Sequence, residues 1–221
     1  MKIIFFILVF TSFKLFSQAD SIIKVFPTDL MRANILKGKP KDKVKMKDQM
    51  IIASIQMYST GDKERTLQSM EKYLAHINKA FPYIKMVVFP QLAGHGCFSN
   101  MRKEAEVIPG ELTSIFSNMA NKYNLWLIPG SIYEKSDNEI FYTTPVFSSG
   151  GDLLGKYRKR YPWRPNEKTT PGGTHFTFDV DGFGTVGIMI CYDIWFPEVA
   201  RDLVHNGAEV IVVPVSYTHL T

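Results

Sequence analysis

One stretch constrains the fold more than any other: the apolar run Val186 to Ile190 ends in Cys191, and Pro197 follows shortly after it. The run predicts a buried strand, and a proline is typical of the first turn of a helix. We expect one face of this helix to be buried, formed by Val199, Leu203 and Val204. A side chain at such a strand-to-helix corner is held rigidly near backbone N–H groups, which is the setting that a nucleophile requires. The alternative is a small apolar cysteine buried at the end of a strand.

The remainder of the chain alternates between strand and helix patterns. Strands are predicted at 51–57, 86–89, 125–133 and 209–213, with a hairpin of 140–147 and 152–157 across a turn at 148–151. Apolar residues at helical spacing predict helices at 62–80 and 111–123. The alternation predicts an α/β fold, in which loops at the carboxyl ends of the strands form the site.

Positive charge is confined to the amino-terminal part of the chain. The net charge is +5, with ten Lys or Arg against four Asp in residues 1–49 and 16 against 17 acidic residues in 50–221. The predicted globular part is therefore close to neutral, and we expect no nucleic-acid partner. Residues 20–49 are predicted to be a solvated basic leader or linker, although binding of a polyanion by its lysine run stays open.

The segment 1–19 has the pattern of a secretory signal peptide. Lys2 precedes a short apolar run, and the small residues Ser17 and Ala19 predict cleavage after Ala19. The apolar segment is too short for a membrane span. We expect an exported protein, periplasmic or secreted, with no stable membrane span after cleavage. Cys97 and Cys191 would then face an oxidising compartment, and a disulfide between them, which would abolish the nucleophile, stays open.

A second motif precedes the cysteine. The basic stretch Lys156 to Arg160 leads into a loop that contains Trp163 and Glu167. Lys159, Glu167 and Cys191 therefore follow one another along the chain in this order. Their order and spacing, together with the successive motifs Tyr-Arg-Lys, Thr-Pro-Gly, Cys-Tyr-Asp and Phe-Pro-Glu, resemble the nitrilase or carbon-nitrogen hydrolase superfamily, and within it the aliphatic amidase and N-carbamoyl amidase branches most closely.

The resemblance implies a role for each of these residues. Cys191 would attack an amide carbonyl as a thiolate, and a neighbouring positive charge such as Lys159 favours that form. Lys159 and the backbone N–H of Tyr192 would hold the oxyanion, while Glu167 would orient the lysine and the substrate. Taken without the cysteine, Lys159 and Glu167 are more typical of solvated surface charges. The resemblance implies neither a metal nor an organic cofactor.

Position 91 departs from the family pattern. The segment Lys85 to Leu92 has the form of the strand and turn that carry the family's general-base glutamate, yet position 91 is Gln. A glutamine side chain forms hydrogen bonds but accepts no proton near neutral pH. Loss of a general base slows a reaction by roughly a hundred- to ten-thousand-fold. We therefore expect the fold to be kept and turnover to be reduced, unless Glu167 partly substitutes.

The resemblance also implies the architecture, a four-layer αββα sandwich of the nitrilase type, here over residues 50–214, and homo-oligomers. We expect the chain to be truncated at its carboxyl terminus. Residues 215–221 can be back-translated into a sequence that resembles a transposon-end sequencing adapter, and we expect them to be an artefact of it. A genuine short terminus is the alternative.

The leading functional hypothesis is cysteine-dependent hydrolysis of a small amide or N-carbamoyl compound through a thioester. The first alternative is a catalytically impaired binding protein or subunit, marked by Gln91. The second is an N-acyltransferase that uses the same thioester. Trp163 and Trp195 are candidates for lining the substrate pocket, with aromatic core packing as the other interpretation.

Overall fold

The computed structural model describes residues 5–10, 50–57, 61–95 and 100–216 of the 221-residue chain. The predicted basic leader at 20–49, Cys97 and residues 217–221 lie outside these ranges, as does most of the predicted signal peptide.

The strands are β1 (Phe5–Phe10), β2 (Ile51–Gln56), β3 (Met86–Val88), β4 (Trp126–Ile128), β5 (Ile132–Ser136), β6 (Glu139–Phe147), β7 (Leu153–Arg158), β8 (Thr177–Val180), β9 (Gly184–Ile188) and β10 (Val210–Val212). The helices are α1 (Lys63–Ala80), α2 (Met101–Glu104), α3 (Glu111–Tyr123) and α4 (Pro197–His205), and a 3-10 helix spans Cys191–Trp195. Asp62 caps α1 by accepting a hydrogen bond from the Arg65 N–H, and α4 begins at Pro197, as the sequence predicts.

The strands form two sheets. The larger has the order β1-β2-β3-β4-β6-β5, with β7 also paired to β6. Its first four strands are parallel, whereas β5, β6 and β7 are antiparallel to their neighbours. The smaller sheet has the order β10-β9-β8, in which β10 and β9 are parallel. In the smaller sheet β9 and β10 end side by side, and hydrogen bonds from Cys191 and Gln91 to the residues after β10 bring the carboxyl end of β3, in the larger sheet, to the same region.

Alternation along the strands shows that the larger sheet is covered on both faces. Val87 belongs to a core that it shares with Leu74 of α1 and Phe116 of α3. Its neighbours Met86 and Val88 belong instead to a second core, shared with the smaller sheet. Successive side chains of a strand point to opposite faces, so helices cover one face and the second sheet covers the other.

The fourth layer is α4. Val186 and Ile188 of β9 pack in the core between the sheets. A Cβ atom at Gly187, on the opposite face, would meet Leu203 at 3.0 Å and Ala208 at 3.1 Å, so this glycine allows α4 to lie close against β9. The four-layer αββα architecture is thereby confirmed.

Two local predictions are wrong, and one strand was missed. A single strand at 125–133 is instead two strands, because Gly130 (φ +81°) turns the chain against the backbone of Pro90. Strand β8 carries no clear pattern and was not predicted. Val204 does not join Val199 on the buried face of α4 but is 57% exposed, since its place in the helical turn rotates it well away from the core.

Alternation in β7 separates two polar clusters. Lys156 and Arg158 donate to Glu134 of β5, which also accepts a 2.6 Å hydrogen bond from Thr143. Burial raises the pKa of Glu134, but its hydrogen bonds to these residues outweigh burial and lower it. Residues 157 and 159 point to the opposite face, toward the second sheet.

Across the described ranges, no helix is both long and apolar enough to cross a membrane.

Candidate active site

Cys191 lies at a sharp turn between β9 and the 3-10 helix. Its backbone has φ +47°, in the left-handed region that non-glycine residues rarely adopt. The Cys191 N–H donates to Pro214 O at 2.8 Å, and the thiol lies 3.7 Å from the Ser216 hydroxyl. The side chain is a free thiol and is buried, with 6% of the residue exposed. The corner predicted from the sequence is therefore present, with the backbone strain that is common at functional sites.

Lys159 follows β7 directly and is fully buried. Its N–H donates to Tyr142 O at 2.8 Å, which prolongs the pairing of β7 with β6. Its ammonium donates to both carboxylate oxygens of Glu167, at 2.9 and 2.7 Å, and lies 5.4 Å from the centre of the Tyr142 ring. The interpretation of Lys159 as a solvated surface charge is wrong.

Glu167 is also buried, and its carboxylate is saturated with donors. Besides the two bonds from Lys159, it accepts from Gln91 Nε2 at 2.8 Å and from the Trp163 N–H at 2.6 Å. Buried carboxylates of this kind are stable only when paired and hydrogen-bonded. The interpretation of Glu167 as a surface carboxylate is therefore wrong as well.

Gln91 is 1% exposed and joins this buried pair. Because Glu167 presents only acceptors, the amide NH₂ group of Gln91 must face it, and its carbonyl oxygen Oε1 must point elsewhere. No described residue donates a hydrogen bond to that buried oxygen. Position 91 thus supplies an unpartnered acceptor but no proton-accepting base.

The segment that follows β10 connects Gln91 to the cysteine. Pro214 O accepts the Cys191 N–H, and the next residue, Val215, accepts the Gln91 N–H at 3.3 Å. The two residues therefore bond through their backbones to one short segment at the carboxyl ends of β3, β9 and β10. Loops in this position form the ligand sites of many α/β proteins.

Asp193 is a buried carboxylate in the 3-10 helix whose importance the sequence analysis missed. It accepts hydrogen bonds from the Ile190 N–H (3.0 Å), the Tyr161 N–H (2.8 Å) and the Tyr157 hydroxyl (2.9 Å). Burial raises the pKa of Asp193, against the opposing effects of these bonds and of the Lys159 charge. Its place in Cys-Tyr-Asp, an acidic residue within an apolar stretch, is the sequence signal that identifies it.

The aromatic candidates lie nearer the surface. Tyr192, whose backbone N–H is the predicted oxyanion donor, is half-buried and lies in the 3-10 helix directly after Cys191. Trp163 is 38% exposed and Trp195 is 70% exposed. Core packing is therefore the wrong interpretation of Trp195, whose ring lies 6.2 Å from that of Tyr192.

His95 lies in the turn that begins at Gln91. It is 1% exposed, its ring lies 5.2 Å from that of Tyr133, and neither ring nitrogen has a partner among the described residues. Burial, assisted by the charge of Lys63, lowers the pKa of His95 to about 4. Its imidazole is therefore neutral at physiological pH.

Within the described ranges, no group of three or more His, Cys, Asp or Glu residues could hold a metal ion.

Comparison with known proteins agrees with this geometry. The family model described as carbon-nitrogen hydrolase matches residues 51–220. A probable nitrilase of Schizosaccharomyces pombe is 33% identical over 172 residues, which are 75% of this chain and 63% of that protein. An omega-amidase of Saccharomyces cerevisiae is 31% identical over 186 residues, 74% of this chain and 62% of its own length. The chain thus spans less than two thirds of these curated relatives.

Solved structures show the same fold. A nitrilase-superfamily member from Saccharomyces cerevisiae superposes with a TM-score of 0.66 at 32% identity, over 72% of this chain and 61% of that one. A mutant amidase from Nesterenkonia superposes with a TM-score of 0.64 at 21% identity, over 75% of this chain and 66% of that one. With the family model matching more than half of its length, the chain belongs to the carbon-nitrogen hydrolase family of the nitrilase superfamily.

Proposed function

We propose that this chain carries the active site of an amide hydrolase that cleaves the C–N bond of a small amide or N-carbamoyl compound through a thioester on Cys191. The observation that carries the proposal is a buried cysteine at a strained corner, linked through one short segment to the buried cluster of Gln91, Glu167 and Lys159. The omega-amidase and amidase relatives support this reaction class.

In the proposed reaction, the Cys191 sulfur bonds to the carbonyl carbon, and the carbonyl oxygen becomes an oxyanion held by Lys159 and the Tyr192 N–H. The C–N bond then breaks, and the nitrogen leaves as ammonia or an amine with the thiol's proton. Water adds to the thioester, the C–S bond breaks, and a carboxylic or carbamic acid is released with the thiol restored. The first half needs one proton moved within the site, whereas the second needs water to be deprotonated.

The presence of Gln at position 91 slows hydrolysis of the thioester more than its formation. This glutamine cannot remove a proton from water, and Glu167 already accepts from Lys159, Trp163 and Gln91 itself. We therefore expect the thioester to form faster than it is hydrolysed. The Nesterenkonia amidase structure is that of a Glu→Gln mutant, which shows Michael addition of acrylamide at its active-site cysteine. By analogy, we expect Cys191 to form a lasting covalent adduct with acrylamide.

The unpartnered oxygen of Gln91 favours one ligand class. A buried acceptor without a partner is costly, and a ligand that carries an N–H group beside its carbonyl would satisfy it. Primary amides and ureido compounds have that group, whereas esters do not. This favours amides and N-carbamoyl compounds over esters.

Two alternatives follow from the same residues. If the missing base stops turnover altogether, the protein would bind amides or act as a catalytically impaired subunit. If an amine reaches the thioester before water does, the protein would be an N-acyltransferase, because a neutral amine needs no base before it attacks.

One experiment separates the three. The purified protein is incubated with a panel of small amides and N-carbamoyl compounds, with and without hydroxylamine, while ammonia, hydroxamate and intact protein mass are followed. Steady ammonia release identifies the hydrolase, and a mass increase on Cys191 with a single burst of ammonia indicates slow hydrolysis of the thioester. Hydroxamate in excess of acid indicates acyl transfer. No ammonia and no adduct with any compound would contradict the proposed reaction and favour the binding protein or impaired subunit.

We also propose that the protein is exported by its amino-terminal signal peptide and forms homo-oligomers. Cleavage after Ala19 would remove β1 and leave β2 at the edge of the larger sheet in the mature protein. Amino-terminal sequencing of the protein from the native host tests the cleavage, and light scattering measures the oligomeric state.

A further inference from the structure

Asp193 joins the turn that carries the cysteine to the segment that carries the lysine. On one side, its Oδ2 atom accepts the N–H of Ile190, the residue immediately before Cys191. On the other, Oδ2 also accepts the Tyr157 hydroxyl and Oδ1 accepts the Tyr161 N–H, from residues that flank Lys159 on either side. Asp193 is fully buried, so water does not compete for these bonds.

Only a carboxylate can make this set of contacts. All three partners are donors, and an ionised Asp offers acceptors on both oxygens. In Asn the NH₂ group would replace one oxygen, so at least one backbone N–H would face another donor. Losing one partner of a buried polar contact is costly, so the two segments would shift or separate.

From these contacts we infer that Asp193 is a positioning residue that holds the turn carrying Cys191 against the segment carrying Lys159. The inference rests on the proposed function, because it assumes that Cys191 is an activated nucleophile. It concerns the spacing between two segments and assigns Asp193 no contact with substrate.

The charge of Asp193 by itself would have the opposite effect. A buried negative charge near a thiol disfavours the thiolate, so removing that charge without movement would lower the thiol pKa. Loss of positioning would instead take the Lys159 ammonium away from the sulfur and so raise the thiol pKa. The direction in which the thiol pKa changes in Asp193→Asn therefore separates loss of charge from loss of positioning.

The test is the rate of Cys191 alkylation by iodoacetamide between pH 5 and 10, measured on the full chain by peptide mass spectrometry so that Cys97 is counted separately. For Asp193→Asn we expect the whole profile to move to higher pH by about one unit, so that the rate on its rising limb, below the wild-type midpoint, falls about tenfold. Tyr157→Phe removes one of the three bonds and should shift the profile in the same direction by less.

Thr143→Val is the matched control. Thr143 also donates from a buried hydroxyl to a buried carboxylate, that of Glu134, but on the opposite face of the sheet. This variant should lower the melting temperature and leave the alkylation profile unchanged. A profile that moves equally in Thr143→Val, or a thiol pKa that is unchanged or lower in Asp193→Asn, overturns the inference.

The wild-type profile distinguishes this failure from failure of the proposed function. A wild-type Cys191 that titrates like an ordinary cysteine, at about 8.5, overturns both, because there is no activated thiol to position. A perturbed wild-type profile with no rise in Asp193→Asn overturns the positioning role alone.

Discussion

Replacing Gln91 with Glu tests the proposed cause of slow turnover directly. The side chain keeps its size and position, but its NH₂ group, which donates to Glu167 at 2.8 Å, becomes a carboxylate oxygen. The perturbation therefore adds a base and at the same time places two carboxyl groups in contact.

The distance between the new carboxyl group and Glu167 sets the size of the expected pKa shift. Two carboxylates whose charges are about 4 Å apart repel by about 4 kcal/mol at an effective dielectric constant of about 20. That energy corresponds to about 3 pKa units, and the Lys159 ammonium on the same cluster offsets about one of them. The pKa of the new carboxyl should thus rise from about 4.3 to about 6 or 7. This is close to the best value for a general base at neutral pH, so hydrolysis of the thioester should accelerate by roughly a hundred- to ten-thousand-fold.

The assay is kcat/KM for the best amide of the panel, with the rate of decay of the acyl-protein, from pH 5 to 9. We expect the rate in Gln91→Glu to rise with pH through an apparent pKa of about 6 to 7. Because this pKa is raised in the folded state, stability should be unaffected below about pH 4 and should fall by up to about 3 kcal/mol as the pH passes 7.

Gln91→Met is the matched control, since it removes the hydrogen bond to Glu167 without adding a base. It should lose stability and gain no activity. A folded Gln91→Glu protein whose acyl-protein decays no faster than that of the wild type would refute the reasoning. Brisk turnover by the wild type would show that another group acts as the base.

Three further predictions concern single residues. Cys191→Ala should abolish ammonia release and adduct formation and leave the circular dichroism spectrum unchanged; near-normal turnover would exclude the thioester. Lys159→Ala should reduce activity by roughly a hundred- to a thousand-fold and destabilise the fold by about 3–5 kcal/mol, as measured by urea unfolding, because it leaves Glu167 buried without its ion pair; a small loss of stability would contradict that pairing. His95 has a pKa of about 4 when folded and about 6.5 when unfolded, so its contribution to stability is present above pH 6.5 and falls by roughly 3 kcal/mol toward pH 4. In His95→Phe the free energy of unfolding in urea should therefore change less with pH over this range. An unchanged pH dependence would show that other groups cause it.

The sequence predicted those parts of the fold that have strong local patterns. Helix α3 has the predicted bounds, and the hairpin of β6 and β7 forms across the predicted turn, because apolar spacing and glycine turns act over a short length of chain. The break at Gly130 was not predictable, since the positive φ of this glycine goes with a close approach to Pro90, a residue far away in the sequence.

The site was predicted as a set of residues but not as an electrostatic arrangement. Spacing and family resemblance identified Lys159 and Glu167, yet nothing local distinguishes a buried lysine from a solvated one within a basic run. Their burial comes with contacts to Gln91 and Tyr142, which lie in other parts of the chain. Asp193 was missed for the same reason, since its partners on the lysine side come from a segment that precedes the whole second sheet in the sequence.

The alternation of β7 has a consequence for how this family tolerates insertions and deletions. Lys156 and Arg158 donate hydrogen bonds to Glu134 on one face of the sheet, while Lys159 donates to Glu167 on the other. Gain or loss of one residue inside the strand would exchange the faces and present an arginine where the lysine belongs, whereas a change of two residues would preserve them. Length variation among descendants of this chain should therefore collect in the turn at 148–151 and occur in even steps, if at all, between Leu153 and Lys159.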